Sequence, residues 1–221
     1  MADSIFWHYL EELPEQEAAW KEWNSRLANW HRFNTFYTHY LRVEGRRAKQ
    51  LNCPSPCEQG YPRQVVENSP SDITAVCPQD KADPIRLKFR DILIYSLRRD
   101  TLHQAICVSL KIDRPSGNIW REFGNTWYIG DYCDGAKIHC SIYLTYRTAT
   151  LPETISSLCR LHQEPFMLMA PTRRGLAPEV QELLDKNSSV LFSMEAELSL
   201  QPDGSFVSSR RVHDTEDSAR F

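Results

Sequence analysis

The chain has 221 residues, 41% of them hydrophobic and 25% charged, with a formal net charge of -3. That length and balance exclude wholesale disorder and supply enough apolar surface for one large domain or two smaller ones. Residues 1–50 carry 7 basic and 7 acidic groups, residues 51–115 carry 9 and 8, and residues 116–221 carry 10 and 14, which excludes nucleic-acid binding by bulk positive charge. No apolar run approaches a membrane span. "MADSIFWHYLEELPEQE" lacks the basic-then-apolar order of a secretory signal. A cytoplasmic location with no membrane partner is therefore expected, and the 7 cysteines, an odd number, are expected as thiols or metal ligands.

The pattern predicts a short helix near residues 4–12 that turns at Pro14 and folds back on a long helix over residues 15–47. In the long helix Trp20, Trp23, Leu27, Trp30, Asn34, Tyr37 and Leu41 alternate at spacings of three and four, a heptad seam. Such a seam serves either a helix packed into its own chain or an inter-subunit contact. Phe33 and Phe36 widen the apolar face and favour packing within the chain. "KFRDILIYSLRRDTLHQAICVSL" reads as a second long helix with Phe89, Ile92, Leu93, Leu97, Leu102, Ile106 and Leu110 on one face. "DRPSGN", residues 113–118, is the linker candidate.

Beyond it the pattern changes. "TWYIGDY" and "KIHCSIYLTYRT" read as strands around "CDGA". "LPETISSLCRLHQE" reads as a helix with Pro152 in its first turn, and "PFMLMAP" as a strand buried on both faces. "APEVQELLDKN" is again helical, and "SVLFSMEAELSLQPDGSFVSSR" gives two strands around a "PDG" turn. The expected fold class is α/β (or α+β). Residues 1–112 are expected to form a helical part with an inserted hairpin at 53–84, residues 118–210 a mixed-sheet α/β domain, and residues 211–221 a polar tail.

The inserted segment runs from "CPSPC" through "EQGYPRQVVENSPSDITAVCPQDKAD". Cys53 and Cys57 frame one turn, "RQVVENS" and "DITAVC" pair as strands around "PSD", and Cys77 opens a second turn. This framing resembles zinc-ribbon proteins over about 30 residues, with three of four ligand positions matched. The resemblance implies one structural zinc on Cys53, Cys57 and Cys77, with Asp83 closing the tetrahedron. Asp80, His31, His39 and His103 are the other fourth-ligand candidates. The alternatives are a degenerate, metal-free ribbon held by packing and strand hydrogen bonds alone, and no ribbon at all.

Two further places draw attention. "PTRRG", residues 171–175, follows the buried strand and precedes a helix, so Thr172, Arg173 and Arg174 are candidates to hold a phosphate. Arg42, Arg46, Arg47 and Lys49 form a basic cluster able to touch a nucleic-acid backbone. Asp131 and Asp134 could bind a divalent cation, although turn chemistry explains them. No P-loop, dinucleotide, nucleophile-elbow or HExxH pattern occurs, and "EAELSL" lacks the lysine of a carboxylate-plus-lysine nuclease. The expected function is a non-enzymatic intracellular regulatory adaptor that meets a protein partner or a second copy through the aromatic helix and the ribbon, the ribbon being the metal-binding candidate. The alternatives are a nucleic-acid-binding regulator and a phosphate- or nucleotide-sensing α/β domain.

Overall fold

The computed structural model describes residues 4–53, 61–79, 83–114, 121–123, 126–134 and 138–208. The predicted tail, Cys57, Asp80 and most of the linker lie outside these residues. Two compact units form: Leu13–Arg98, and Met1–Glu12 together with Arg99–Phe221. Both contain helices and sheets, as the α/β or α+β class requires. Among the described residues no helix is long and apolar enough to cross a membrane.

The first helix, α1 (Ser4–Glu12), falls where the pattern puts it, with Phe6, Trp7, Tyr9 and Leu10 buried. It clusters with Arg99–Phe221 and not with the Trp-rich segment that follows it in the chain. The single long helix over residues 15–47 is corrected. Glu15 and Gln16 adopt left-handed φ values of 52° and 56°, which no helix interior tolerates. Strand β1 (Glu17–Ala19) follows, then α2 (Trp20–Leu27), a turn, α3 (Phe33–Tyr40) and strand β2 (Leu41–Arg47). The aromatic residues of the seam close α2 against α3: Trp20 packs on Phe33 and Tyr37 with ring centroids at 5.6 and 4.7 Å, and Trp23 on Phe36 at 6.0 Å. Asn34, the seam's polar member, is exposed.

The remaining strands of this unit are β3 (Gln50–Leu51), β4 (Arg63–Ser69), β5 (Asp72–Val76), β6 (Ile85–Leu87) and β7 (Leu93–Leu97). β7 pairs antiparallel with β1 on one side and β2 on the other. The second predicted long helix is thereby corrected: "LIYSL" is a central strand, Phe89–Ile92 forms a single 3-10 turn before it, and only Arg99–Leu110 is α-helical. Alternation and β-propensity in that stretch fit a strand as well as a helix, and two flanking strands supply the ladder. β3 to β6 form a four-stranded antiparallel sheet in chain order. The β4–β5 hairpin around residues 70–71 is the one the pattern predicts. Its inner face, Ile73 and Ala75 with Leu51 and Leu87, packs on Ala19, Ala48 and Ile92.

In the other unit α4 (Arg99–Leu110) precedes β8 (Arg121–Phe123), β9 (Thr126–Asp134), β10 (Ile138–Thr145), α5 (Leu151–Leu161), β11 (Phe166–Ala170), α6 (Pro178–Lys186) and β12 (Val190–Ser193). The sheet order is β12-β11-β10-β9-β8, with β10, β11 and β12 mutually parallel and β8 and β9 antiparallel. Leu151, Ile155 and Leu158 of α5 and Val180 and Leu184 of α6 cover Phe166, Leu168, Ala170 and Leu191. A short helix α7 (Met194–Glu197) separates β12 from the hairpin of β13 (Leu198–Leu200) and β14 (Phe206–Ser208), so the predicted first strand is split in two.

Within β9, Gly130 has φ 145°, and a Cβ there would lie 2.2 Å from the Asp113 carbonyl oxygen. Asp113 and Asp131 exchange backbone hydrogen bonds at 2.8 and 2.9 Å at this point, so the neighbour is fixed backbone. Gly130→Ala is expected to cost at least about 1–3 kcal/mol from backbone strain alone, measurable as a lowered urea midpoint.

Candidate functional site

Three places carry the functional residues read from the sequence. At the first, strand pairing brings Arg63, at the start of β4, beneath the cysteine turn. Its side chain is only 4% exposed. The guanidinium donates to Cys53 Sγ at 3.3 Å, to the Asp83 carbonyl at 2.6 Å and to the Ala75 carbonyl at 3.4 Å. An organic cation thus stands at the convergence of Cys53 and Asp83. Cys77 is buried, and Cys57 lies outside the described residues. His31 and His39 are exposed, and His103 belongs to the core of Arg99–Phe221. Asp131 accepts hydrogen bonds from the Tyr128 and Ser141 hydroxyls. Among the described residues no group of three His, Cys, Asp or Glu side chains is placed to hold a metal ion. Arg63→Ala is expected to destabilise its unit by about 1–3 kcal/mol, because the buried Ala75 carbonyl and the partly buried bond to the Asp83 carbonyl lose their donor. A thermal shift comparing it with Arg63→Lys checks this, and an unchanged midpoint for Arg63→Ala would reject the role.

At the second, the basic cluster falls on and just after β2. Arg42 Nε donates to Glu44 at 2.8 Å, Arg46 to Glu17 at 2.7 Å and Arg47 to Glu67 at 2.5 Å, while Lys49 is exposed. The Ser96 hydroxyl, and after it Arg42, hold Glu44 below the ordinary carboxylate range. Three of the four cations therefore already face carboxylates. Arg47 also lies 5.3 Å above the Phe89 ring, and Arg90 lies 3.9 Å above Trp20. The sequence pattern does not reveal this arginine–aromatic strip, because Phe89 and Arg90 lie in a single 3-10 turn before β7 rather than in the long α-helix the pattern predicts.

The third place is the loop after β11, at the carboxyl end of the parallel strands. Thr172 is fully buried, whereas Arg173 and Arg174 are exposed. Thr172 Oγ1 donates to Glu11 Oε1 at 2.6 Å and accepts from the Arg174 amide at 3.0 Å. The Thr172 backbone donates to the same carboxylate. Burial pushes Glu11 above the usual carboxylate range, and the Thr172 hydrogen bonds, His8 and Arg174 only partly offset it. One turn back on α1, His8 Nε2 meets Glu195 at 2.8 Å. Gly175 turns the loop at φ 78°, its Cα passing so close to the Thr148 carbonyl that a Cβ would sit 2.7 Å from that oxygen. Ser193, register partner of Ala170 at the end of β12, has a buried Oγ with no hydrogen-bond partner among the described residues. Glu11 and Ser193 are the members that sequence reasoning misses. Glu11 lies 161 residues from Thr172, and no local pattern links them.

Compared with protein families, curated proteins and solved structures, the chain matches none. With no matching family and no metal-holding group among the described residues, the zinc-ribbon resemblance is corrected: the hairpin is real, and a buried arginine ties its turns together. What the fold defines is an α/β protein of two units, one built on a sheet with three parallel strands.

Proposed function

We propose that α1 with Arg99–Phe221 is an anion-sensing α/β domain whose ligand is a phosphate ester held by Thr172, Arg173 and Arg174. The observation that carries this reading is the Glu11 carboxylate, an anion already seated on the Thr172 hydroxyl and amide beside Arg174. Position supports it too. Ligands of parallel sheets gather beyond the carboxyl ends of the strands, and the first turn of α6 opens three residues after Gly175. The Ser193 hydroxyl at the same sheet end is a further donor without a partner among the described residues. Among the described residues exposed Arg173 and Arg174 form no direct ion pair, unlike the arginines of β2, so both can reach a phosphate. Titration calorimetry with inorganic phosphate, pyrophosphate and nucleotides is expected to show binding by the native chain that Arg173→Ala/Arg174→Ala abolishes. Binding that survives the double substitution, or no binding of any of these anions even when Glu11 is replaced by Gln, would remove the reading.

A second reading places a protein contact on Leu13–Arg98. It rests on the arginine–aromatic strip: Arg90 over Trp20, Arg47 over a Phe89 that is 42% exposed, and Val43 of β2 at 53%. Trp, Tyr and Arg are the side chains that anchor protein interfaces. Concentration-dependent solution mass that falls to the monomer value on Arg90→Ala/Phe89→Ser supports a second copy as the partner. The nucleic-acid alternative requires oligonucleotide binding that weakens steeply with salt.

A further inference from the structure

We infer that Glu11 is an occupant in cis of this anion site, a built-in competitor that an incoming phosphate ester must displace. The inference rests on the phosphate reading above and deepens it to regulation. The donors that suit a phosphate oxygen, the Thr172 hydroxyl and amide with Arg174 nearby, are engaged by a carboxylate of the same chain. A side chain held within hydrogen-bond distance competes at a high effective concentration, so the apparent affinity for a soluble anion falls accordingly.

The helix that carries Glu11 stays in place while its side chain yields. Phe6 and Trp7 are fully buried, with ring centroids 4.6 Å apart, and Trp7 packs on Phe206 at 5.9 Å. The 2.8 Å contact between His8 and Glu195 pins the same face of α1 one turn earlier. Displacement is therefore a rotation of one carboxylate about its own side-chain bonds. Desolvation already works against the charged carboxylate, which makes Glu11 an occupant that can be exchanged. Arg173 and Arg174, both exposed, remain available to a dianion that outcompetes a monoanion for paired guanidinium groups.

The test uses the full chain, titrated calorimetrically with inorganic phosphate and pyrophosphate. Glu11→Gln keeps shape and hydrogen-bonding capacity while removing the competing charge, and is expected to bind at least about tenfold more tightly than the native chain, a change of about 1.4 kcal/mol. Glu11→Ala is the second variant, and circular dichroism confirms that each is folded. Thr172→Ala in the Glu11→Gln background is expected to lose the gain. If native and Glu11→Gln proteins bind phosphate equally, Thr172 and the arginines hold an anion but Glu11 does not gate it, and the inference falls alone. If neither they nor Glu11→Ala binds, the phosphate reading and the inference fall together. Tighter binding that persists in Glu11→Gln/Thr172→Ala would place the anion elsewhere and overturn the gate as well.

Discussion

Trp23→Ala is expected to destabilise Leu13–Arg98 by about 3–5 kcal/mol, the range for emptying a buried aromatic site. Trp23 is fully buried, packs on Phe36, and donates from Nε1 to the Tyr95 carbonyl of β7 at 3.1 Å. One side chain thus joins the α2–α3 pair to the central strand of the three-stranded sheet. For a unit of this size about 1 kcal/mol moves the melting temperature by roughly 4–8 °C, so the variant's first thermal transition should fall by tens of degrees or vanish. Trp20→Ala is the control. Trp20 is only partly buried and carries Arg90 on its outer face, so its loss should cost a fraction as much. Equal losses at the two positions would mean that both tryptophans serve one continuous seam and that the observed helix pair is wrong.

That contrast explains why the N-terminal fold was the harder part to read. Two eight-residue helices whose aromatic residues face each other repeat at the same spacings of three and four as one long helix. The turn between them, residues 28–32, contains neither Gly nor Pro to mark it. The break before β1 is likewise made by Glu15 and Gln16 in left-handed conformations that their identities do not announce. β7 is decided by partners dozens of residues away in the chain. In the C-terminal part local pattern and tertiary context agree. Leu151, Ile155 and Leu158 form one helical stripe and all are buried, and "FMLMA" is a strand between two parallel neighbours.

The candidate site divides the same way. Thr172 and the two arginines are legible because a polar loop after a buried strand is where parallel sheets place ligands. Glu11 is not, since only the fold brings α1 to that loop. Arg63 illustrates the opposite failure. The cysteines draw attention as a metal frame, whereas the arginine between them in sequence reads as an ordinary solvated cation until its burial is seen. A guanidinium offers several fixed donors, so it can tie a thiol and two carbonyls at once.

Acidification is expected to unfold Arg99–Phe221 through His103. This side chain of α4 is 1% exposed and shares a 3.0 Å hydrogen bond between Nε2 and the Tyr146 hydroxyl, with Trp127 packed at 5.9 Å. Burial above all, then the charges of Arg99 and Arg114, lower its pKa to about 3. The unfolded chain takes up the proton near the ordinary value of 6.5, while the folded unit resists until about 3. Between those limits the unfolded state binds more protons, so stability falls as pH falls, by on the order of 5 kcal/mol over the whole window. Glu11 acts with the opposite sign. Its pKa is raised in the folded state, so its protonation stabilises the fold as pH falls. His103→Phe retains the aromatic packing and removes the titration. Urea midpoints measured across the window should fall steeply with acidification in the native chain and much less in the variant. Equal slopes in the two proteins would show that His103 is not the group that makes this unit acid-labile.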